Sequence, residues 1–146
     1  MAAARSVVEQ AQEAFNAHDE QRIRSNYAPD VAFTAPGEVS LEGPDAVSEY
    51  AMSWLRAFPD AQLTIHSLVE EGDRVAMQFT FEGTHTDTLV GPEGEIPATN
   101  RRVAGRGMEL FRVAGDKIAE EHLYFDQVQV LTQLGLMPEP AAAAAS

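Results

Sequence analysis

From residue 61 to residue 127 apolar side chains recur at every second position, over runs of ten to twelve residues. AQLTIHSLVE (61–70) leads through EGDR (71–74) into VAMQFTFEGTHT (75–86), and RVAGRGMELFRV (102–113) leads through AGDK (114–117) into IAEEHLYFDQ (118–127). A strand, a four-residue turn containing glycine and a second strand make a hairpin. Two such hairpins, joined by a Gly-, Pro-, Asp- and Glu-rich loop from 87 to about 100, commit the second half of the chain to an antiparallel sheet.

A sheet with an apolar face must be covered, and the first sixty residues provide the cover. Val7, Val8, Ala11, Ala14 and Phe15 form a helical stripe within residues 3–18. His18 is expected to close that helix, where an imidazolium is favoured by the dipole. A second short helix, EQRIRSNY, stops before Pro29. VAFTA (31–35) reads as a strand with a return from 38 to 41, and Gly43-Pro44-Asp45 opens a third helix that runs to about Phe58, ahead of Pro59. VQVLTQLGL closes as a helical turn. The expected fold is α+β: one domain over 1–138, a curved antiparallel sheet wrapped around N-terminal helices with an internal pocket, and a flexible Ala-rich tail at 139–146.

Ten basic against 23 acidic side chains give a net charge of -13 over 146 residues. That field repels phosphate backbones, and no basic patch offsets it, so nucleic acid is excluded as a partner. No apolar run approaches the roughly 20 residues of a membrane span, and Glu9 and Gln10 interrupt any signal-peptide core, so a cytoplasmic protein is expected. With no cysteine, thiolate and disulfide chemistry are ruled out. The four histidines have no HxxxH or HExxH spacing, and neither GxSxG nor GxGxxG occurs. GPEGE (91–95) lacks the lysine of a phosphate cradle.

The order helix, NAHD, short helix, Tyr27-Ala28-Pro29-Asp30, then Gly43-Pro44-Asp45-Ala46 before a third helix resembles the NTF2-like superfamily. GDRVAMQFTFEGTHT (72–86), RRVAGRGMELFRVAGDKIAEEH (101–122) and QLGL (133–136) are similar to the SnoaL-like polyketide cyclases. The resemblance implies a cone-shaped α+β fold with a pocket between sheet and helices, a homodimer or higher oligomer, and no metal or organic cofactor. It implies ring closure of an aromatic polyketide ester by intramolecular aldol condensation, with an aspartate on the last strand as base. The family pattern places that aspartate two residues after a histidine. Here Tyr124 stands two residues after His122, and the nearest carboxylate is Asp126.

On the last strand Ile118, Glu120, His122, Tyr124 and Asp126 share one side; Ala119, Glu121, Leu123, Phe125 and Gln127 share the other. If the even side faces the pocket, Asp126 is the base and His122 and Tyr124 serve as acid or enolate stabilisers. The alternative is that Asp126 caps the last helical turn while His122 and Tyr124 lie in a dimer interface. His85, Arg106, Met108, Trp54 and Tyr27 are the expected substrate contacts. Arg106, between two glycines, would hold an ester or oxyanion, or else pair with Glu120 or Glu82 across the sheet; Tyr27 and Trp54 would sit on the covering helices.

The leading expectation is a cofactor-independent acid-base enzyme acting on a carbonyl-bearing, hydrophobic small molecule. Epoxide-hydrolase-like water activation by Asp126 with Arg106 or Arg112 is a second reading, and a non-catalytic ligand-binding or dimerisation module a third.

Overall fold

The computed structural model describes residues 3–91 and 94–137; the Ala-rich tail expected at 139–146 lies outside the described residues. In chain order the elements are α1 (Ala4–Asn16), α2 (Glu20–Ser25), β1 (Tyr27–Ala35), β2 (Val39–Glu42), α3 (Pro44–Ala57), β3 (Gln62–Glu71), β4 (Arg74–Thr84), β5 (Leu89–Gly91), β6 (Gly94–Ile96), β7 (Arg102–Ala114), β8 (Lys117–Phe125) and α4 (Gln127–Gln133). This is the expected α+β class. Pro44 opens α3, where its missing N–H costs nothing, and Pro59 follows its end. The glycines of the two predicted hairpin turns, Gly72 and Gly115, both take positive φ.

Six strands form one sheet in the order β2-β1-β8-β7-β4-β3. β4 pairs with β7 without interruption from Arg74↔Arg112 to Thr84↔Arg102. β7 and β8 pair from Gly107↔Phe125 to Ala114↔Lys117, with one irregularity after Arg112. Three features depart from the sequence reading. β1 runs parallel to β8, because the two are separated by most of the chain and no hairpin dictates their sense. Tyr27 opens β1 rather than ending a helix. The loop after residue 87 carries its own small hairpin, β5–β6. His18 does close α1: it takes the left-handed position (φ 56) after the C-cap Ala17, its N–H and that of Asp19 donate back to the Phe15 and Ala14 carbonyls, and its Nε2, 2.8 Å from the Ala61 carbonyl, ties the α1–α2 corner to the start of β3.

In β1 from Val31 onward, and in β4 and β7, the odd-numbered side chains point inward: Val31 and Phe33, Val75 and Met77, Val103 and Phe111 are all buried. α1 (Val7, Val8) and α3 (Val47) pack on this face, and Leu55, Phe58, Leu89 and Leu134 close the other end. The packing is incomplete in the middle, where a cavity remains between sheet and helices. Gly107 is needed beneath Phe79, one of the rings that line it. A Cβ there would lie 2.6 Å from Phe79 Cζ and 2.8 Å from the Tyr124 carbonyl, so only glycine lets the Phe79 ring lie over the strand.

Candidate active site

The cavity has a volume of about 100 Å³, well above the roughly 10–15 Å³ that one water requires. Its wall is aromatic. Trp54 of α3 stands edge-on to Phe81 of β4 (5.7 Å between centroids) and to Phe125 of β8 (5.6 Å). Phe33 and Tyr50 close another side, 5.0 Å apart. The polar side chains in this lining include Gln12, Asn26, Tyr27 and two glutamates, Glu109 and Glu121, and no Lys or Arg is among the described residues that form it.

The glutamates are the unusual feature. Glu109 is 7% exposed and Glu121 8%. Each occupies the inward register of its strand: Glu109 faces Leu123 across the β7–β8 ladder, and Glu121 is opposite Phe111 on β7 and Phe33 on β1. The Tyr27 hydroxyl donates to Glu121 Oε1 at 3.1 Å, and the two carboxyls hydrogen-bond one another. Glu109 Oε2 is buried with no other partner among the described residues.

Electrostatics follow from this placement. Burial pushes the Glu109 carboxyl well above its ordinary value, and the negative charge of Glu121 pushes it further. Burial also raises Glu121, opposed by hydrogen bonds from Glu109 and Tyr27 and by the charge of His122 on the far side of β8. Two carboxyls in contact in an apolar cavity do not both ionise readily, and the pair holds one proton between them more strongly than either would alone. Burial and the neighbouring charge both act to raise Glu109, whereas the contacts of Glu121 with Glu109, Tyr27 and His122 oppose the effect of its burial, so the shared proton favours Glu109. Tyr27 is raised well above its usual value, first by burial and then by Glu121 and Glu109; burial pushes Tyr50 up to about 12, partly offset by Trp54. Both phenols remain neutral donors.

The residues expected from sequence are divided by the sheet. Tyr27 and Trp54 line the cavity. Asp126, His122 and Tyr124 do not, because from Glu120 onward the even side of β8 is its outer face; only Ile118, before the irregularity in the ladder, turns into the core. Asp126 is exposed and caps α4, its Oδ1 accepting from the Gln129 N–H at 3.1 Å. His122 Nδ1 pairs with Thr34 Oγ1 (2.7 Å) and Nε2 with Glu120 Oε1 (3.3 Å). Tyr124 is 59% exposed and Met108 48%, paired across the ladder on that same outer face. Arg106 is exposed there too. The ion pairs foreseen for it fall to its neighbours instead: Arg112 with Glu120, and Arg102 with Glu82 at 2.7 Å. With Asp126, Arg106 and Arg112 all on the outside, the residues named for epoxide opening do not meet in the cavity either.

His85 is fully buried and stacked on Phe58, centroids 5.2 Å apart, outside the cavity lining. Its Nδ1 accepts from the Thr99 N–H (3.2 Å), while its backbone bonds Arg101 and Asn100, so it fastens both ends of the β5–β6 excursion. Sequence reasoning missed Glu109 and Glu121. The signal was present: each is a carboxylate in the apolar register of a strand whose other register is polar.

Beyond Tyr50, Trp54, Phe125 and Val130 lies a second cavity of about 370 Å³, between the β5–β6 hairpin and α4. Those four residues belong to both walls.

Comparison with known proteins agrees with this architecture. The family model described as SnoaL-like polyketide cyclase matches residues 5–134. The chain belongs to the SnoaL-like polyketide cyclase family. The nogalonic acid methyl ester cyclase of Streptomyces nogalater is 30% identical over 125 residues, covering 84% of this chain and 90% of that protein. The aklanonic acid methyl ester cyclase DnrD of Streptomyces peucetius is 34% identical over 97 residues, 65% of this chain; the match spans 63% of the length of DnrD, less than two thirds. Among solved structures, AclR of Streptomyces galilaeus superposes with a TM-score of 0.81 at 27% identity, covering 98% of this chain and 93% of that one. IdmH of Streptomyces antibioticus gives 0.76 at 26%, with 90% and 98% covered. The fold of this SnoaL-like chain is the NTF2-like cone.

Proposed function

We propose that this SnoaL-like protein is a cofactor-independent cyclase whose acid-base group is the Glu109–Glu121 pair. The observation that carries the reading is a buried carboxyl pair, without a cation among the described lining residues, at the floor of an aromatic cavity. Such a pair offers a base and an acid side by side. The Glu121 carboxylate takes a proton from a carbon between two carbonyls, and Tyr27 Oη, 3.1 Å from Glu121, is placed to steady the resulting enolate by hydrogen bonding. The enolate carbon attacks a second carbonyl of the same molecule, and Glu109 gives its proton to the new alkoxide. One proton is taken and one returned, so the pair ends as it began and no external acid or base is consumed. Apolar walls favour a neutral aromatic body; the cavity of about 100 Å³ would hold only the reacting part of a polyketide ester, with the remaining rings reaching past Trp54 and Phe125 toward the second cavity of about 370 Å³.

The test follows loss of deuterium from a labelled β-dicarbonyl methylene, alongside ring closure of an anthraquinone-type methyl ester. Glu121→Gln should slow both by roughly 10²–10⁴-fold. Full activity in that variant, or an equal loss in Asp126→Asn, sinks the assignment. The proposal includes self-association through the outer face of the sheet, where Met108 and Tyr124 are exposed. In sedimentation, Met108→Glu with Tyr124→Glu should then convert a dimer to a monomer; a wild type that sediments as a monomer at all concentrations contradicts it.

A further inference from the structure

The cavity is unbalanced in charge. Glu109 and Glu121 are each more than nine-tenths buried, their described surroundings in the lining hold no Lys or Arg, and Glu109 Oε2 receives no hydrogen from a described protein donor. Phe79, Phe81, Trp54 and Phe125 stand in the wall around them, and ring faces present negative potential to whatever lies between them. We infer that this cavity is a binding site for a small apolar organic ammonium ion, its N–H groups donating to Glu109 Oε2 and to Glu121 and its hydrocarbon lying against the aromatic wall.

The chemistry selects this class over other cations. A hard divalent ion needs about six to eight oxygen ligands; here two carboxyls and one phenol are set in hydrocarbon, and among the described residues no group of three His, Cys, Asp or Glu is arranged to hold a metal. An ammonium ion needs only two or three acceptors, and the rest of its surface is apolar. The carboxylates were stripped of water when the chain folded, so the ligand adds only its own desolvation to the cost of pairing. The volume of about 100 Å³ suits a short branched alkylammonium rather than an aryl amine, since an apolar cavity of about 150 Å³ is what takes benzene. Where the pair holds two protons, binding expels one: an ammonium and two acids give an ammonium carboxylate, one acid and a free proton. None of this requires the pair to be catalytic. In a working cyclase the amine would compete with substrate.

Trp54 is the sole tryptophan of the chain and stands in the cavity wall, so its fluorescence reports occupancy. The experiment titrates the full-length protein with isobutylammonium chloride at pH 7.5 and, in parallel, with isobutanol, its uncharged counterpart, and with potassium chloride at matched ionic strength. A saturable change is expected with isobutylammonium, with binding of the alcohol at least about tenfold weaker and no saturation by the salt. Glu121→Gln should weaken the amine by about tenfold or more, and Glu109→Gln less, since Glu121 keeps its charge. Affinity should fall as the pH is lowered into the range where the pair takes its second proton, and calorimetry there, in buffers of different ionisation enthalpy, should show proton release that is absent where the pair holds one proton. Equal binding of alcohol and amine by the wild type, or no saturable binding of the amine, overturns the inference without relying on any variant to fold. Deuterium exchange at a carbon acid, measured separately, distinguishes this failure from failure of the cyclase proposal.

Discussion

Glu109 is costly to the fold and is best explained by what it does. Its carboxyl lies in the inward register of β7, opposite Met77 and Leu123, with one oxygen unpartnered among the described residues. A buried polar group with incomplete hydrogen bonding destabilises the native state, and replacing it with an apolar residue of similar volume relieves that. Glu109→Met should therefore raise stability by about 1–3 kcal/mol in urea unfolding at pH 7 while slowing ring closure; destabilisation by the same substitution would contradict this account. Stability yielded to activity at a single position is a common pattern in enzymes.

The helical element α4 shows how a residue can be chosen by local structure and mistaken for chemistry. Asp126 follows β8 and caps α4 through Gln129, a role that suits aspartate whatever happens in the cavity. From there α4 is pinned along the edge of β7 that β8 leaves unpaired: Gln133 accepts from the Ala104 N–H at 2.7 Å, and Val130 reaches the cavity wall. Asp126→Ala should cost about 0.5–2 kcal/mol by thermal or urea unfolding and leave carbon-acid exchange near the wild-type rate. A loss of exchange as large as that of Glu121→Gln would return the base to Asp126.

At the scale of the molecule the carboxyl pair leaves its mark on the dependence of stability on pH. Both groups have folded-state values above the 4.5 of the unfolded chain, so the folded state holds the extra proton. The pair's contribution is complete below about pH 4.5 and is lost as pH rises through the folded values. His85 acts in the opposite sense: burial lowers it from 6.5, so its contribution is present above 6.5 and is lost as pH falls and the buried ring must charge. Thermal unfolding of wild type and Glu109→Met between pH 5 and 8 separates the two. The stability advantage of the variant should grow as pH rises, because only the wild type carries the full carboxyl pair; an advantage that is constant or shrinks would rule out the shared proton.

Much of the architecture was legible in the chain because it rests on local rules. The period-two runs and glycine turns foretold the hairpins around Gly72 and Gly115, the prolines bounded α3, and the motifs around NAHD and QLGL pointed to the family. The parallel sense of β1 against β8 was not legible, since it joins segments far apart in sequence. The candidate site divided along the same line. Alternation on β8 established that His122, Tyr124 and Asp126 share one side and Glu121, Leu123 and Phe125 the other, and no local rule says which side a partner layer will cover. That was decided by the long-range packing of α1 and α3 on the odd face, which put Glu121 beside Glu109 and Tyr27 in an apolar cavity and left Asp126 in solvent.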